Sequence, residues 1–194
     1  MLLTYANQLT ILRMLFVPCF VLLLIYGHPK AATVLFALAA VTDGLDGLLA
    51  RKLQQRTALG SFLDPMADKL LLTAAFITLT IPSLPAPLHI PTWLTVWTIS
   101  RDVLIALSVL VIFLQTEHSH FPPSFLGKCT TAFQLLTVGI CMLANFYGTI
   151  AEAVFLYVTR LTLVFTIASG LHYAYRSIKM IASYQESGNE SERD

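Results

Sequence analysis

The sequence predicts an all-α polytopic membrane protein with six transmembrane helices. Its 194 residues are 56% hydrophobic and only 12% charged, whereas a soluble domain carries roughly 25% charged residues. Apolar stretches that approach or exceed the ~20 residues a spanning helix needs recur along the chain. No alternation of apolar and polar residues competes with these stretches, so we expect no strands.

Clusters of helix-breaking residues separate the apolar segments. These breaks are Gly27-His28-Pro29, the prolines at 82, 85 and 87, Pro122-Pro123 and Gly148. The predicted spans are 8–26, 31–51, 64–83, 92–115, 127–147 and 150–179. Together they form one membrane domain over residues 1–182, and we expect the polar tail over 183–194 to be disordered.

The basic residues orient these six spans. An even number of spans places both termini on one side of the membrane. Most of the basic residues near the span ends lie on that side: Arg51, Lys52, Arg56, Lys128, Arg176 and Lys179. The opposite loops carry Lys30 alone, so the positive-inside rule predicts cytoplasmic termini and a cytoplasmic 52–63 loop.

The first residues of the chain and its net charge limit the expected location of the protein and its expected partners. Residues 1–8 contain no basic region and no small-residue cleavage site follows, so we expect neither a signal peptide nor an organelle-targeting segment. A multi-pass protein of the bacterial inner (plasma) membrane is therefore expected. The net charge of +1 gives no electrostatic reason to expect a nucleic-acid partner.

Four aspartates lie in the second and third spans. Each carboxylate at membrane depth costs about 2.5–3.5 kcal/mol on insertion scales, so four of them indicate a function. Asp43 and Asp46 are three residues apart and Asp64 and Asp68 are four apart, so each pair shares a helix face. If the two helices are neighbours, the four carboxylates repel one another unless cations are bound. Oxygen-only ligands favour a hard ion, Mg²⁺ or Mn²⁺.

Small residues and an arginine accompany these carboxylates. Gly47 and Ala50 allow a ligand to approach the helix backbone, and Arg51 offers a planar donor fork that suits a pyrophosphate. The combination indicates a diphosphate site. Other interpretations stay open, because Asp64-Pro65 also suits a helix start and glycines also allow close helix packing. Asp43 and Asp46 could also be structural partners of a nearby cation, Arg51 or Lys69.

The complete spacing resembles the signature of the CDP-alcohol phosphatidyltransferase family. It is Asp43-x2-Asp46-Gly47-x2-Ala50-Arg51-x8-Gly60-x3-Asp64-x3-Asp68, which matches at all eight positions. The similarity extends to Asn7–Arg13 at the start of the first span, and it covers residues 5–180.

The resemblance implies a site and a reaction. The four aspartates would surround two Mg²⁺ or Mn²⁺ ions, with Asp68 as the general base. Gly47, Ala50 and Arg51 would hold the cytidine diphosphate part of CDP-diacylglycerol, and Gly60 would let the third span approach it. The phosphatidyl group would pass to a hydroxyl acceptor with release of CMP, in a homodimer embedded in membrane lipids.

A membrane transporter or channel with an acidic cation site is the alternative from another functional class. Intramembrane aspartates would suit a cation pathway. These aspartates, however, cluster at one membrane face together with an arginine and glycines, instead of lining a path across the bilayer.

Two acceptors fit the sequence. One branch of the family makes phosphatidylglycerophosphate from glycerol 3-phosphate, and another makes cardiolipin from phosphatidylglycerol. The short chain resembles bacterial members of the first branch, so glycerol 3-phosphate is the expected acceptor. Arg101-Asp102, Val109 and the stretch 169–176 are closer to the second branch.

Arg101 and Lys128 are the candidate acceptor-binding residues. An internal Arg101–Asp102 pair, or a Lys128 that extends to the membrane surface, would explain the same residues without a ligand. Arg160, deep in the last span, has no assigned role.

Overall fold

Six helices follow one another in the computed structural model, which describes residues 5–53, 58–115, 124–148 and 152–191. Side chains are described within 10–42, 66–111, 124–148 and 152–179. The helices are α1 (Tyr5–Ile25), α2 (Pro29–Leu53), α3 (Ala58–Thr80), α4 (Thr92–Gln115), α5 (Phe125–Tyr147) and α6 (Glu152–Ser191). The described residues contain no strand, and the predicted all-α fold is confirmed.

Two of the predicted breaks are built on glycines with positive φ. Gly27 has a φ of 76° and Gly148 a φ of 79°, the left-handed conformation in which glycine commonly ends a helix. The N–H of His28 donates to the carbonyl of Leu23 at 2.8 Å, which satisfies a carbonyl at the end of α1. Pro29 then begins α2, at the position where its missing N–H costs nothing.

Two boundaries differ from the sequence prediction. Helix α3 begins at Ala58, six residues before the predicted start of its span, so most of the predicted 52–63 loop is helical. Helix α6 continues to Ser191, although disorder was expected from residue 183. Extending an existing helix needs no new nucleation, and this tail contains good helix formers such as Gln185 and Glu186.

The chain forms two compact units. Unit 1 comprises Met1–Pro91 and Val138–Phe155, and unit 2 comprises Thr92–Thr137 and Leu156–Asp194. In unit 1, α1 packs against both α2 and α3. Phe20 and Phe36 meet there with ring centroids 5.8 Å apart, and alanines such as Ala32 and Ala75 are fully buried. Small residues let membrane helices approach closely.

Asn145 fixes the proline-rich loop that follows α3 in unit 1. Its Oδ1 accepts the backbone N–H of Leu88 at 3.0 Å, and its Nδ2 donates to the carbonyl of Leu88 at 3.4 Å. The Sγ of Cys141 lies 3.4 Å from that same carbonyl. The side chain of Asn145 is buried, so it replaces water as the partner of an irregular backbone segment.

Hydroxyl groups fill much of the interior of unit 2. Thr137 and Thr162 bring their Oγ1 atoms within 2.8 Å of each other, between α5 and α6. The Oγ1 of Thr130 donates toward the carbonyl of Phe165 at 3.0 Å, and Phe165 stacks on Phe133 with centroids 4.5 Å apart. Such interhelical hydrogen bonds and small polar residues are typical of helices that associate in lipid.

Three helices among the described residues are long and apolar enough to cross a membrane. They are Thr92–Val111, Phe125–Tyr147 and Glu152–Lys179. Large apolar side chains on them face outward, Leu104 with 59% and Val164 with 61% exposure. The chain is therefore a membrane protein. Thr10–Ile25 and Pro29–Thr42 are shorter apolar helices in the same part of the structure, and the six-span topology stays a prediction.

We expect Asn145→Ala to destabilise the protein by about 1–3 kcal/mol, because a buried peptide group loses its side-chain partners. Thermal unfolding in detergent should show a lower Tm than that of the wild type. His28→Ala removes an exposed polar side chain from the same unit and serves as the control with an unchanged Tm. A wild-type Tm for Asn145→Ala would contradict this role.

Candidate functional site

Helices α2 and α3 are continuous through the four aspartates. Asp43 and Asp46 lie in α2, and Asp64 and Asp68 lie in α3. At 3.6 residues per turn each pair therefore shares one helix face, as the spacing predicts. Among the predicted metal and donor residues, the side chain of Asp68 is described. The others lie outside the described side chains: Asp43, Asp46, Gly47, Ala50, Arg51, Gly60 and Asp64.

Asp64-Pro65 lies inside α3 and not at its start. Because the helix begins at Ala58, the interpretation of Asp64 as a helix cap is wrong. Pro65 has no N–H, so it cannot donate to the carbonyl of Ser61 one turn earlier. A proline inside a helix therefore loses one backbone hydrogen bond, which neighbouring groups can compensate in membrane helices.

Asp68 forms an ion pair with an arginine of the first helix. Nη1 of Arg13 donates to Oδ1 of Asp68 at 2.7 Å, across 55 residues of sequence. The Arg13 side chain is 1% exposed, whereas half of the Asp68 side chain is exposed. A buried guanidinium thus contacts the Asp68 carboxylate on one side, and the other side of this carboxylate remains accessible to solvent or ligand.

The sequence did not indicate that Arg13 contacts one of the four aspartates, although Arg13 lies in the part of the first span that resembles the family. Its position was the available signal. An arginine inside an apolar helix costs about 2.5–3.5 kcal/mol on insertion scales, so it requires a partner. The spacing of residues along α1 could not identify that partner in α3.

The donor chemistry of the aspartate cluster suits a hard divalent cation. Within the described side chains, no group of three His, Cys, Asp or Glu residues could hold a metal ion. Three of the four aspartates, Asp43, Asp46 and Asp64, lie outside the described side chains. The spacing along α2 places Asp43 and Asp46 on one face of that helix, and the spacing along α3 does the same for Asp64 and Asp68. Asp68 is half exposed beside Arg13. All-oxygen ligands of this kind fit Mg²⁺ or Mn²⁺.

Arg101 is buried in unit 2 among three partners. Its Nη1 donates to Oδ1 of Asp102 at 2.8 Å, and its Nη2 donates to Oγ of Ser169 at 2.7 Å. The guanidinium carbon lies 5.8 Å from the centroid of the Tyr173 ring, within the range of a cation–π contact. The internal Arg101–Asp102 pair that the sequence left open is therefore present.

Gly127 lets the backbone of α5 approach this guanidinium. A Cβ added at Gly127 would lie 3.3 Å from Nη2 of Arg101 and 3.4 Å from Cε2 of Tyr173. The backbone N–H of Ser124 donates to the Tyr173 hydroxyl at 3.1 Å. We call Arg101, Asp102, Gly127, Ser169 and Tyr173 the Arg101 cluster.

The structure brings the two predicted acceptor residues to one end of α5. Lys128 directly follows Gly127, so it adjoins the Arg101 cluster, and its side chain is exposed. The first turn of a helix carries partial positive charge, which adds to the two cations. Ser169 and Tyr173 were not identified as single site residues from the sequence. Their spacing of four residues on α6 was the signal that they share a face.

Comparisons with known proteins identify similar chains. A family model described as CDP-alcohol phosphatidyltransferase matches residues 3–168. A Mycobacterium tuberculosis protein named probable phosphatidylglycerophosphate synthase is 33% identical over 190 residues, which cover 95% of this chain and 86% of that protein.

Two further relatives carry different names. The CDP-diacylglycerol–glycerol-3-phosphate 3-phosphatidyltransferase of Haemophilus influenzae is 34% identical over 174 residues, covering 88% of this chain and 92% of the relative. A human protein named cardiolipin synthase (CMP-forming) is 32% identical over 198 residues, covering 92% of this chain and 64% of the relative.

We expect Ser169→Ala to destabilise unit 2 by about 1–3 kcal/mol, because a buried guanidinium N–H loses its acceptor. Ser177→Ala is the matched control two turns further along α6, where the Ser177 hydroxyl bonds to the carbonyl of Tyr173 in its own helix. Thermal unfolding in detergent should show a lower Tm for Ser169→Ala alone. Equal Tm values for the two variants would contradict the contribution of Ser169 to holding Arg101.

Proposed function

The chain belongs to the CDP-alcohol phosphatidyltransferase family, and from this membership we propose that it transfers the phosphatidyl group of CDP-diacylglycerol to glycerol 3-phosphate and releases CMP. The family match over residues 3–168 carries the proposal, and it confirms the resemblance seen in the aspartate spacing. The names of the bacterial relatives support glycerol 3-phosphate as the acceptor.

The proposed location follows from the substrates. The acyl chains of the donor must stay in the bilayer, whereas CMP and glycerol 3-phosphate are water-soluble. We place the protein in the cell inner membrane with six spans, both termini in the cytoplasm and the active site open to the cytoplasm. The basic residues near the predicted span ends support this orientation. A homodimer is proposed from the family resemblance.

The donor would be held by the residues of the shared signature in α2 and α3. Asp43, Asp46, Asp64 and Asp68 would bind two divalent ions, Mg²⁺ or Mn²⁺. When bound, such ions neutralise the diphosphate and stabilise the departing CMP. Arg51 would add a charge-assisted contact to the donor phosphates. Gly47, Ala50 and Gly60 would permit the donor to approach the helix backbones.

Asp68 is the proposed general base. The acceptor oxygen forms a bond to the phosphorus that carries diacylglycerol, the bond from that phosphorus to the CMP oxygen breaks, and the acceptor proton passes to Asp68. The half-exposed side chain of Asp68 supports this role, because an accessible carboxylate can reach a bound acceptor. No covalent intermediate is required.

Arg101 and Lys128 would bind the phosphate of the acceptor. Asp102 offsets part of the charge of Arg101, but Lys128 and the first turn of α5 leave the region positive. The contacts to Ser169 and Tyr173 fix the guanidinium before a ligand arrives, which lowers the entropy lost on binding.

Phosphatidylglycerol is the second candidate acceptor. Val109 on α4 is apolar and 41% exposed, two turns beyond Arg101, which suits contact with a lipid better than with a small dianion. The similarity to the human cardiolipin synthase also favours this alternative.

We expect a chelator to abolish turnover and Mg²⁺ or Mn²⁺ to restore it. Asp43→Ala and Asp46→Ala should stay inactive at ordinary metal concentrations, because each removes a metal ligand. Arg51→Ala should raise the donor KM by about 10–100-fold, as loss of a hydrogen bond to a charged group predicts. Release of CMP is the assay, and turnover that persists without divalent metal would contradict the metal site.

The acceptor is tested by supplying labelled CDP-diacylglycerol with glycerol 3-phosphate or with phosphatidylglycerol and analysing the lipids. We expect phosphatidylglycerophosphate from the first and no product from the second. Lys128→Ala should raise the KM for glycerol 3-phosphate about tenfold or more and leave the donor KM unchanged, because a binding contact is lost. Lys30→Ala, another exposed lysine, should change neither value. Cardiolipin formed from phosphatidylglycerol alone would replace our choice of acceptor.

A further inference from the structure

The ion pair between Arg13 and Asp68 is asymmetric. Arg13 is 1% exposed and Asp68 is half exposed, although their charged atoms lie 2.7 Å apart. Thr10, one turn before Arg13 on the same face of α1, is fully buried. The arginine thus belongs to the packed interior of unit 1, and the carboxylate reaches out from it.

A buried arginine is costly and needs matched partners, and Asp68 supplies one of them for Arg13. Half of the Asp68 side chain is exposed, so the protein encloses it far less than it encloses Arg13. The contact with the enclosed Arg13 guanidinium therefore limits the orientations that the accessible Asp68 carboxylate can adopt.

We propose that Arg13 is a positioning residue for the phosphatidyl transfer reaction, which holds Oδ1 of Asp68 and thereby orients the carboxylate toward the acceptor hydroxyl. This inference rests on the proposed role of Asp68 as general base. Arg13 itself touches neither substrate, and its contribution passes through the 2.7 Å contact.

Arginine suits this task better than lysine. Its planar guanidinium presents donors in fixed directions, whereas a lysine ammonium is a point charge on a flexible chain. A displacement of about 1 Å in a catalytic group can cost about 10²-fold in rate. A lysine at residue 13 would keep the positive charge but would not fix the direction in which its N–H donors meet Asp68.

The experiment compares Arg13→Lys with the wild type in detergent, measuring kcat, both KM values and Tm. We expect kcat to fall about 10–100-fold while both KM values stay within about threefold, as expected for a misplaced base. Arg160→Lys applies the same change to an exposed arginine of α6 and should leave all four quantities unchanged.

A second variant covers the case in which Arg13→Lys does not fold. Arg13→Gln removes the buried charge and retains an N–H donor, and it should lower kcat about 10²-fold with unchanged KM values. In the Asp68→Asn background, neither substitution at Arg13 should lower the remaining rate further, because the group that Arg13 orients is already lost.

The outcomes separate this inference from the proposed function. Wild-type kcat in whichever Arg13 variant folds would overturn the positioning role, and so would a loss confined to KM. An additional loss in the Asp68→Asn background would overturn it as well. If Asp68→Asn keeps the wild-type rate, the proposed role of Asp68 as general base is contradicted independently of Arg13. If the wild type releases no CMP, the proposed function itself is contradicted.

Discussion

A buried charged side chain within an apolar helix needs a partner inside the protein, and this constraint applies in both units. In unit 1 the partner of Arg13 is Asp68, and in unit 2 Arg101 is held by Asp102, Ser169 and Tyr173. Breaking a buried pair by removing one member costs about 3–5 kcal/mol, because the other charge is left without compensation. The charged residues therefore help to determine which helices pack together.

The uncharged polar groups follow the same rule with smaller energies. Thr137 meets Thr162 between α5 and α6, and Asn145 supplies hydrogen bonds to the backbone of Leu88. Irregular backbone at membrane depth is tolerated where protein groups satisfy it. The interior hydroxyls of unit 2 thus join α5 to α6, and the amide of Asn145 joins α5 to the loop after α3, while apolar side chains such as Leu104 face outward.

The sequence predicted the features that depend on neighbouring residues. The helix order, the breaks at Gly27 and Gly148, and the shared faces of the aspartate pairs all follow from local spacing. Helices α3 and α6 extend beyond the predicted spans, because hydropathy measures membrane compatibility and a helix can continue through polar residues. The contacts of Arg13 and Ser169 could not be predicted, since their partners lie 55 and 68 residues away and the spacing within one helix carries no information about another.

The central claim is that this chain moves a phosphatidyl group from a cytidine diphosphate donor to a hydroxyl acceptor. The most direct measurement supplies purified protein in detergent with CDP-diacylglycerol, glycerol 3-phosphate and Mg²⁺ or Mn²⁺, and quantifies CMP and the new phospholipid together. The account predicts equal amounts of the two products and none of either when the acceptor is omitted. CMP release that continues without any acceptor, or no CMP release under these conditions, would contradict it.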